Sequence, residues 1–321
     1  MLNRKTSFSL LLEGGMASQL FQLCAGLTIV LARNFQEMEL NYSIVESRRQ
    51  HEGDLRQLDF GMLSSYFMHA TPGLRSNLLQ SVEAILSRRR AFAECRVKTS
   101  TEDITYVSPQ NRYVSNVEQQ FNHRKLSGTF VSCYYPNQIE RLLQIKLRNE
   151  LKVANPSKEF GRYMDLFDRE RPLIVQVRKG DYLSKRDKFG LLSDNWFVGA
   201  TVQALESVSS LNSIVLVTDG ISECSALVKK LSSLDLEVSI LSYEFNSAET
   251  LFLMARGGAH VISNSGFGWW SSFLSNSSLL TIFPESWTKE VKLQPPCLIP
   301  DSGNWLPKHS EWIEADDLEA P

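Results

Sequence analysis

The chain has 321 residues, enough for two domains of ordinary size, and its 43% hydrophobic and 22% charged residues are typical of a soluble globular protein. With 34 Lys and Arg against 36 Asp and Glu, it has no excess of positive charge, which argues against a nucleic-acid partner. The five scattered cysteines form no CxxC pair, so we expect neither a disulfide framework nor a zinc site. This cysteine usage favours a reducing compartment.

The N-terminal region contains two apolar stretches that could be mistaken for targeting signals. In MLNRKTSFSLLLEGG the apolar part is too short for a signal peptide. FQLCAGLTIVLA (21–32) is shorter than the roughly 20 residues of a membrane span and is predicted to be a buried helix. We therefore expect a cytoplasmic protein, attached to the inner face of the membrane at most peripherally.

The first half of the chain alternates strands and helices, as in a parallel α/β layer. The predicted elements are a strand at 7–12, a helix at 17–33, a strand at 38–45, a helix at 76–90, a strand at 129–135 and a helix at 138–151.

The second half repeats this alternation. The predicted elements are a strand from 172 that runs into a charged turn, a helix at 194–208, a strand at 213–219, a helix at 222–233, a strand at 237–241, a helix at 247–258 capped by Ser247, a strand at 260–264 and a strand at 279–283. The two series predict two doubly wound domains, 1–155 and 156–321, with a cleft between them. Ligands of such sheets bind at the carboxyl ends of the strands.

The first unusual strand end is EGGMASQLFQ (13–22). Gly14 and Gly15 let the backbone approach a ligand before a helix begins, and Gln19 and Gln22 share one face of that helix. GxGxxG is absent and no acidic residue suitably ends the next strand, which argues against a dinucleotide site. A tight α/β turn without a ligand remains the alternative.

The second is VQVRKGDYL (175–183), where Arg178 leaves a buried strand. Arginine can bind a phosphate through two parallel hydrogen bonds, and Asp181 could orient it. The alternative is a surface turn with a local Arg–Asp pair.

The third is VISNSGFGWWSSFLS (261–275), which we interpret as strand, loop and helix start. Gly266 and Gly268 allow successive N–H groups to point into one concavity at the positive end of the helix, which favours an anion. Trp269 and Trp270 are expected to pack in the core.

A fourth strand end, VTDG (217–220), carries Asp219, which could accept hydrogen bonds from guanine or cap the next helix. A guanidinium on one strand end and an amide cradle on another suit a diphosphate. The sequence has neither a P-loop nor a convincing DxD motif, so we expect no metal and no cofactor, only a nucleotide-sugar donor whose leaving diphosphate is stabilised by protein groups.

Three segments together resemble the α-1,2-fucosyltransferase family, whose pattern is approximately GGLGNQMFQ, VHIRRGDY and NSSFSWW. They are GGMASQLFQ, VQVRKGDY and ISNSGFGWWSSFL, in this order. LRQLDF (55–60), GTFVSCYY (128–135) and SAETLFLMARGGAHVISNS (247–265) are similar to family segments as well, so the resemblance covers most of residues 8–290.

This resemblance implies an α/β fold of the GT-B type, with two Rossmann-like, doubly wound domains facing across a cleft. The second domain would bind GDP-fucose and the first a galactoside-terminated glycan, with inverting transfer to O2 of the galactose. By the same resemblance Arg178 grips the β-phosphate. The other implied donor-binding residues are Gln176, Asp181, Tyr182, Asp219, Asn264, Ser265, Gly266, Phe267 and Gly268. The facing domain would contribute Gly14, Gly15, Gln19 and Gln22.

The departures from the pattern leave the donor open. Gln176 replaces the family histidine, and Ala17-Ser18 replaces Gly-Asn. The donor is therefore GDP-fucose or a related GDP-6-deoxysugar such as GDP-colitose, and a catalytically inactive nucleotide- or glycan-binding protein is the remaining alternative. A lipid-linked acceptor in surface polysaccharide (O-antigen) synthesis would fit the expected location.

The sequence does not single out a general base. Carboxylates of the first domain are the open candidates: Glu13, Asp54 and Asp59. The histidines at 51, 69 and 123 are expected to be surface or structural residues.

Overall fold

The computed structural model describes residues 7–33, 35–48, 53–69, 105–107, 125–241, 245–291, 294–295, 297–301 and 303–313. The chain splits into two compact units, Met1–Ala154 with Pro295–Leu298, and Asn155–Gln294 with Ile299–Pro321. The predicted helix at 76–90, His51 and His123 lie outside the described residues.

The first unit is built around a parallel sheet of five strands. Its elements are β1 (Ser7–Leu11), α1 (Met16–Arg33), β2 (Glu37–Asn41), α2 (Ser43–Arg48), β3 (Leu58–Asp59), β4 (Phe67–His69), β5 (Thr105–Val107), β6 (Lys125–Ser127), α3 (Tyr134–Leu143), α4 (Leu147–Glu150) and β7 (Lys152–Val153). The strand order is β4-β2-β1-β6-β5, with every neighbouring pair parallel. The short strands β3 and β7 form a separate antiparallel pair.

Helix α1 is the core helix of this unit, as predicted. It is long and apolar enough to cross a membrane by length and composition, but most of it is buried inside the unit. Gly26 allows the close contact of this helix with the sheet, since a Cβ there would lie 2.5 Å from Met38 Sδ.

The predicted strand at 38–45 is wrong in its second half. The strand ends at Asn41, whose Oδ1 accepts a hydrogen bond from Ser43 N at 3.0 Å, and α2 begins at Ser43. A local side-chain bond of this kind competes with strand pairing, and the apolar letters that follow give no sign of it.

The predicted strand at 129–135 is wrong, and the predicted helix at 138–151 is wrong in its continuity. The strand of this region is Lys125–Ser127; Phe130 then has a φ of 52°, outside the strand region. Ser132 Oγ accepts a hydrogen bond from Tyr134 N at 3.2 Å, where α3 begins. Beyond α3, Gln144 is left-handed with a φ of 57° and separates α3 from α4.

A disulfide joins Cys133 to Cys297, with Cα atoms 5.7 Å apart, and contradicts the expectation of no disulfide. The two cysteines are 164 residues apart, so no local spacing indicates the bond. Two other cysteines, Cys24 and Cys224, are free and buried. The cysteine argument for a reducing compartment therefore no longer holds, and the location of the protein stays a prediction.

The second unit contains a parallel sheet of six strands. Its elements are α5 (Lys158–Glu170), β8 (Leu173–Val177), α6 (Arg186–Phe189), α7 (Asp194–Ser207), β9 (Ser213–Thr218), α8 (Ser225–Ser232), β10 (Glu237–Ile240), α9 (Ser247–Met254), β11 (Ala259–Ile262), α10 (Gly266–Phe273), β12 (Thr281–Pro284) and β13 (Trp305–Lys308). The strand order is β10-β9-β8-β11-β12-β13. The chain moves outward from β8 in one direction and then from β11 in the other, so the topological switch point of the sheet lies between β8 and β11.

The two faces of β8 serve different layers. Leu173, Val175 and Val177 belong to a core with α7 and α8. Gln176 points to the opposite face, where a Cβ on Gly268 of α10 would lie 2.6 Å from its Oε1. This alternation, expected of a strand buried on both faces, sets α10 directly against the strands of the switch point.

Helix α9 is capped by a different residue from the one predicted. Asn246, not Ser247, is the N-cap; its side chain accepts from Glu249 N at 3.0 Å, and Glu249 Oε2 accepts from Asn246 N at 3.1 Å. The reciprocal Asn–Glu pair satisfies two backbone donors, whereas a serine at the next position does not.

His260 is a buried neutral imidazole on β11. Nε2 lies 2.8 Å from Met254 O and Nδ1 lies 2.9 Å from Ser278 Oγ. Burial lowers the pKa of His260 from 6.5 to about 4, although the hydrogen bond to Met254 acts in the opposite direction.

We expect His260 to make the second unit less stable in acid. The unfolded chain binds a proton near pH 6.5 and the folded chain only near pH 4, so stability falls as the pH drops through this window, by about 3 kcal/mol in full. Urea unfolding between pH 4 and pH 7 measures the slope, which His260→Gln should reduce. His309→Gln is the control, because that side chain is 92% exposed. Equal slopes in wild type and His260→Gln would contradict the assignment.

Candidate active site

Three of the predicted strand ends are adjacent in the second sheet. In the register, Gln176 of β8 pairs with Ile262 of β11 on one side and with Val217 of β9 on the other. Because all three strands are parallel, the segments that begin at Arg178, Asp219 and Ser263 leave the same edge of the sheet. This edge is the carboxyl end at the switch point, where doubly wound sheets bind ligands.

Arg178 is held by carboxylates on both of its terminal nitrogens. Nη2 lies 2.6 Å from Asp181 Oδ1 and Nη1 lies 2.7 Å from Asp219 Oδ2, and the guanidinium lies 5.4 Å from the centre of the Tyr182 ring. The side chain is 35% exposed, so it is accessible to a ligand. A guanidinium has five N–H donors, so these two contacts leave donors for an anion.

The local Arg–Asp pair that the sequence left as an alternative is present. Asp181 also accepts a hydrogen bond from Lys185 Nζ at 2.8 Å. Burial raises the pKa of Asp181, but the Lys185 hydrogen bond and the Arg178 charge outweigh it and hold the pKa below its ordinary value. Asp181 therefore stays ionised at neutral pH, and its contact with Arg178 leaves the arginine partly exposed rather than sequestered.

Asp219 contacts the turn that follows Arg178. Its Oδ1 accepts hydrogen bonds from Lys179 N at 2.8 Å and Gly180 N at 3.1 Å. A Cβ on Gly180 would overlap its carboxylate. Asp219 caps neither Ser222–Cys224, the 3-10 helix that follows it, nor α8.

Lys179 has a structural role that sequence reasoning missed. Its Nζ lies 3.1 Å from Asp194 Oδ1 and donates to Glu223 O at 2.8 Å, and the residue is only 7% exposed. The available signal was the neighbouring pair Arg178-Lys179 at a buried strand end. Two adjacent cations at a buried strand end each need anionic partners. The fold directs the Arg178 guanidinium toward Asp181 and Asp219 and the Lys179 ammonium toward Asp194.

The start of α10 provides backbone donors beside this turn. Ser265 is the extended N-cap residue, and the N–H groups of the first helical turn, from Gly266 to Gly268, have no partner within the helix. Glycine is required at 268 by packing rather than by φ: a Cβ there would lie 2.6 Å from Gln176 Oε1 and 3.0 Å from Ile262 Cβ. Phe267 is the intervening residue and is partly exposed.

The side chain of Asn264 holds three loops together. Its Nδ2 donates to Phe189 O at 2.9 Å and to Trp287 O at 3.1 Å, and the residue is buried. The backbone oxygen of Asn264 accepts from Tyr182 Oη at 3.2 Å, and the Tyr182 ring stacks on Phe189. Burial raises the pKa of Tyr182 to about 12, so its phenol stays protonated. These contacts fix the position of the loop that precedes α10.

Gln176 is buried at the carboxyl end of β8. Its Oε1 accepts a hydrogen bond from Ser263 Oγ at 2.8 Å, and its backbone oxygen accepts from Ser263 N at 3.0 Å. The side chain thus joins β8 to the loop after β11, and donor binding by Gln176 stays a prediction.

In the first unit, the predicted turn is present between β1 and α1. Gly14 has a φ of 75°, in the left-handed region that favours glycine, and Gly15 O accepts from Gln19 N at 3.1 Å. The backbone of this turn lies at the carboxyl end of the central strand of the first sheet.

Gln19 and Gln22 are fully buried, and their side-chain amides form hydrogen bonds with backbone groups of the first unit. Gln22 accepts from Glu13 N at 3.0 Å and donates to Glu13 O at 3.2 Å. Gln19 donates to Gly14 O at 2.8 Å and accepts from Leu55 N at 3.1 Å. They hold the glycine turn in place, and contact with the transferred sugar stays a prediction.

The carboxylates considered as general bases have different surroundings. Glu13 is 3% exposed. Asp54 caps a 3-10 helix and pairs with Arg56 at 2.5 Å, and Asp59 accepts from Gly61 N at 3.1 Å. None of these contacts distinguishes one of the three carboxylates as the base.

His69 lies beside a tyrosine at the carboxyl end of β4. Its Nδ1 is 3.0 Å from Tyr42 Oη, and burial followed by the Arg56 charge lowers its pKa. Within the described ranges, no three His, Cys, Asp or Glu residues are grouped so as to hold a metal ion.

A family model for Glycosyl transferase family 11 matches residues 75–295, more than half of the chain. The chain belongs to Glycosyl transferase family 11. The match includes Arg178, Asp219 and the 263–268 loop, and membership confirms the predicted family resemblance and the predicted class, a glycosyltransferase.

Among curated relatives of this family 11 chain is an α-1,2-colitosyltransferase of Escherichia coli. The two are 27% identical over 153 residues, which is 46% of this chain and 52% of that protein. The chain thus spans about half the length of the curated relative it matches.

Solved structures similar to this chain include a family 9 glycosyl transferase from Veillonella parvula. The match has 10% identity and a TM-score of 0.48, and it covers 99% of this chain and 91% of the other chain. POFUT1 in complex with GDP has 8% identity, coverage of 88% and 99%, and a TM-score of 0.46. Escherichia coli heptosyltransferase WaaC with ADP has 12% identity, coverage of 94% and 93%, and a TM-score of 0.41. We take no substrate from likenesses this weak. The predicted α/β class is confirmed by the parallel sheet in each of the two units, and the GT-B type stays a prediction.

Proposed function

We propose that the chain transfers a 6-deoxysugar of the fucose type from its GDP donor to O2 of a galactoside, with inversion and without a metal. The single observation that carries this proposal is the partly exposed Arg178 at the switch point, one strand away from the N-terminus of α10. A guanidinium and a set of backbone N–H groups are the donors that a leaving diphosphate needs.

The proposed reaction breaks the bond between the anomeric carbon and the β-phosphate oxygen. The electron pair stays on the diphosphate, where Arg178 and the first N–H groups of α10 stabilise it. The acceptor O2 bonds to the opposite face of the anomeric carbon, and its proton passes to a general base or to solvent water. The leaving-group charge is thus the part of the reaction that the second unit is built to stabilise.

Fucose is the first candidate for the transferred sugar and colitose the second. The motifs of the chain resemble those of α-1,2-fucosyltransferases, whereas Gln176 and Ala17-Ser18 depart from that pattern. The half-length likeness to a colitosyltransferase favours the second candidate. A site that lacks one polar partner would discriminate less against a sugar that lacks one hydroxyl.

The test is a donor comparison with purified protein in the presence of EDTA. GDP release is measured with GDP-fucose and with GDP-colitose, each with and without a β-galactoside, and the product linkage is read by NMR. Acceptor-dependent release with either donor and an α-1,2 product support the proposal. GDP binding without turnover of either donor supports an inactive binding protein instead, and restoration of activity only by added Mg²⁺ or Mn²⁺ contradicts metal independence.

We propose a galactoside-terminated, lipid-linked glycan of surface polysaccharide (O-antigen) synthesis as the acceptor, used at the cytoplasmic face of the membrane. Charge composition supports a partner other than nucleic acid, since cations and anions are nearly equal. Transfer to a lipid-linked galactoside in vesicles, compared with the same free sugar, tests this assignment.

A further inference from the structure

The Asp219 carboxylate contacts both the backbone turn after Arg178 and the guanidinium of Arg178 itself. Its Oδ1 accepts hydrogen bonds from Lys179 N and Gly180 N, the two amides that directly follow Arg178 in the chain. Its Oδ2 lies 2.7 Å from Arg178 Nη1. One side chain thus fixes the backbone of the turn and the tip of the arginine.

Asp219 differs in this from Asp181, the other partner of Arg178. Asp181 lies on the same turn, three residues after Arg178, and shares its carboxylate with Lys185. Asp219 follows β9, whose register with β8 is continuous up to Val177 and Thr218. The contact from Asp219 therefore ties Arg178 to the neighbouring strand of the sheet, whereas the contact from Asp181 moves with the turn.

The same contacts disfavour Asp219 as a guanine ligand. A carboxylate has about four lone-pair positions, and three of those of Asp219 are already used. The guanine edge presents two adjacent N–H groups, which need two free acceptors. The contacts with Arg178 and with the two turn amides leave only one free lone-pair position on Asp219.

We propose that Asp219 is the positioning residue of Arg178 and takes no part in base recognition; this rests on the proposed function. By holding the guanidinium before the donor arrives, it removes the need to order a long side chain when charge develops on the leaving diphosphate. Its loss should therefore lower kcat more than donor affinity.

Two variants disturb this contact by different routes. Asp219→Asn keeps an oxygen for the turn amides but turns an NH₂ group toward Arg178. Because the NH₂ group and the guanidinium are both hydrogen-bond donors, the contact is lost. Gly180→Ala leaves every charge in place, but its Cβ would overlap the Asp219 carboxylate and displace it. The matched control is Asp235→Asn, an exposed aspartate before β10 whose φ of 56° asparagine tolerates.

We expect both variants to lower kcat by about tenfold or more while the Kd for GDP changes by less than about threefold. The ratio of GDP to IDP affinity should stay unchanged, because IDP lacks only the 2-amino group of the base. In an Arg178→Ala background, Asp219→Asn should change end-point turnover by less than about twofold. Asp235→Asn should behave as wild type, and thermal unfolding followed by circular dichroism checks that each variant folds.

Several results would overturn the proposal: a kcat for Asp219→Asn within twofold of wild type, a fall in its preference for GDP over IDP, or the same loss of turnover with and without Arg178. If Asp219→Asn does not fold, Gly180→Ala decides by the same criteria. If the wild-type protein neither binds GDP nor turns over a GDP-sugar, both this inference and the proposed function fail. Normal wild-type turnover with an unaffected variant rejects the positioning role alone.

Discussion

Replacing Arg178 with alanine is expected to lower turnover by about 10²- to 10³-fold, because the leaving diphosphate loses a charged donor where its negative charge develops. The change also leaves Asp181 and Asp219 without their shared cation, and both would then repel the phosphates. Initial rates of GDP release at saturating donor and acceptor measure the effect.

Two further variants separate charge from geometry at this position. Arg178→Lys keeps a cation but cannot span two carboxylates and a phosphate, so we expect an intermediate loss. Arg256→Ala is the matched control: Arg256 is also 35% exposed and pairs with an aspartate, Asp168, at 3.3 Å, but it precedes β11 and so lies at the opposite edge of the sheet. Turnover of Arg178→Ala equal to that of Arg256→Ala would reject the role of Arg178.

Replacing Trp269 with alanine is expected to destabilise the second unit by about 3–5 kcal/mol, the usual cost of deleting a large buried aromatic side chain. Trp269 is fully buried, stacks on Phe273 with ring centres 4.9 Å apart, and contacts Trp270 and Trp305. Urea unfolding followed by far-ultraviolet circular dichroism measures the loss without depending on tryptophan fluorescence.

Trp269→Phe is the graded control for this effect. It retains an aromatic ring against Phe273 and should cost clearly less than alanine. Because Trp269 holds α10 against the sheet, Trp269→Ala should also reduce affinity for GDP while the fold is still intact. An unfolding midpoint of Trp269→Ala within error of wild type would show that the pair at 269–270 is not a core element.

The local order of elements in the second unit was accessible from the sequence because apolar runs and glycine turns are read over short distances. The strands starting near 172, 213, 237 and 279 and the helix after 265 are where the sequence places them. The predictions failed where a local polar bond or a positive φ overrides the apolar pattern, as at Asn41 and Phe130. Periodicity carries no information about either.

The sequence by itself determined the family, the two α/β series, and the residues that end the strands at 178, 219 and 263, because these depend on residue identity and on neighbours within about ten positions. The tertiary structure decided the rest: β8 lies between β9 and β11, Cys133 meets Cys297, and Asp219 holds Arg178. The physical reason is that strand order and long-range pairing depend on which surfaces are buried together, and a carboxylate takes its role from the donors that the fold places around it.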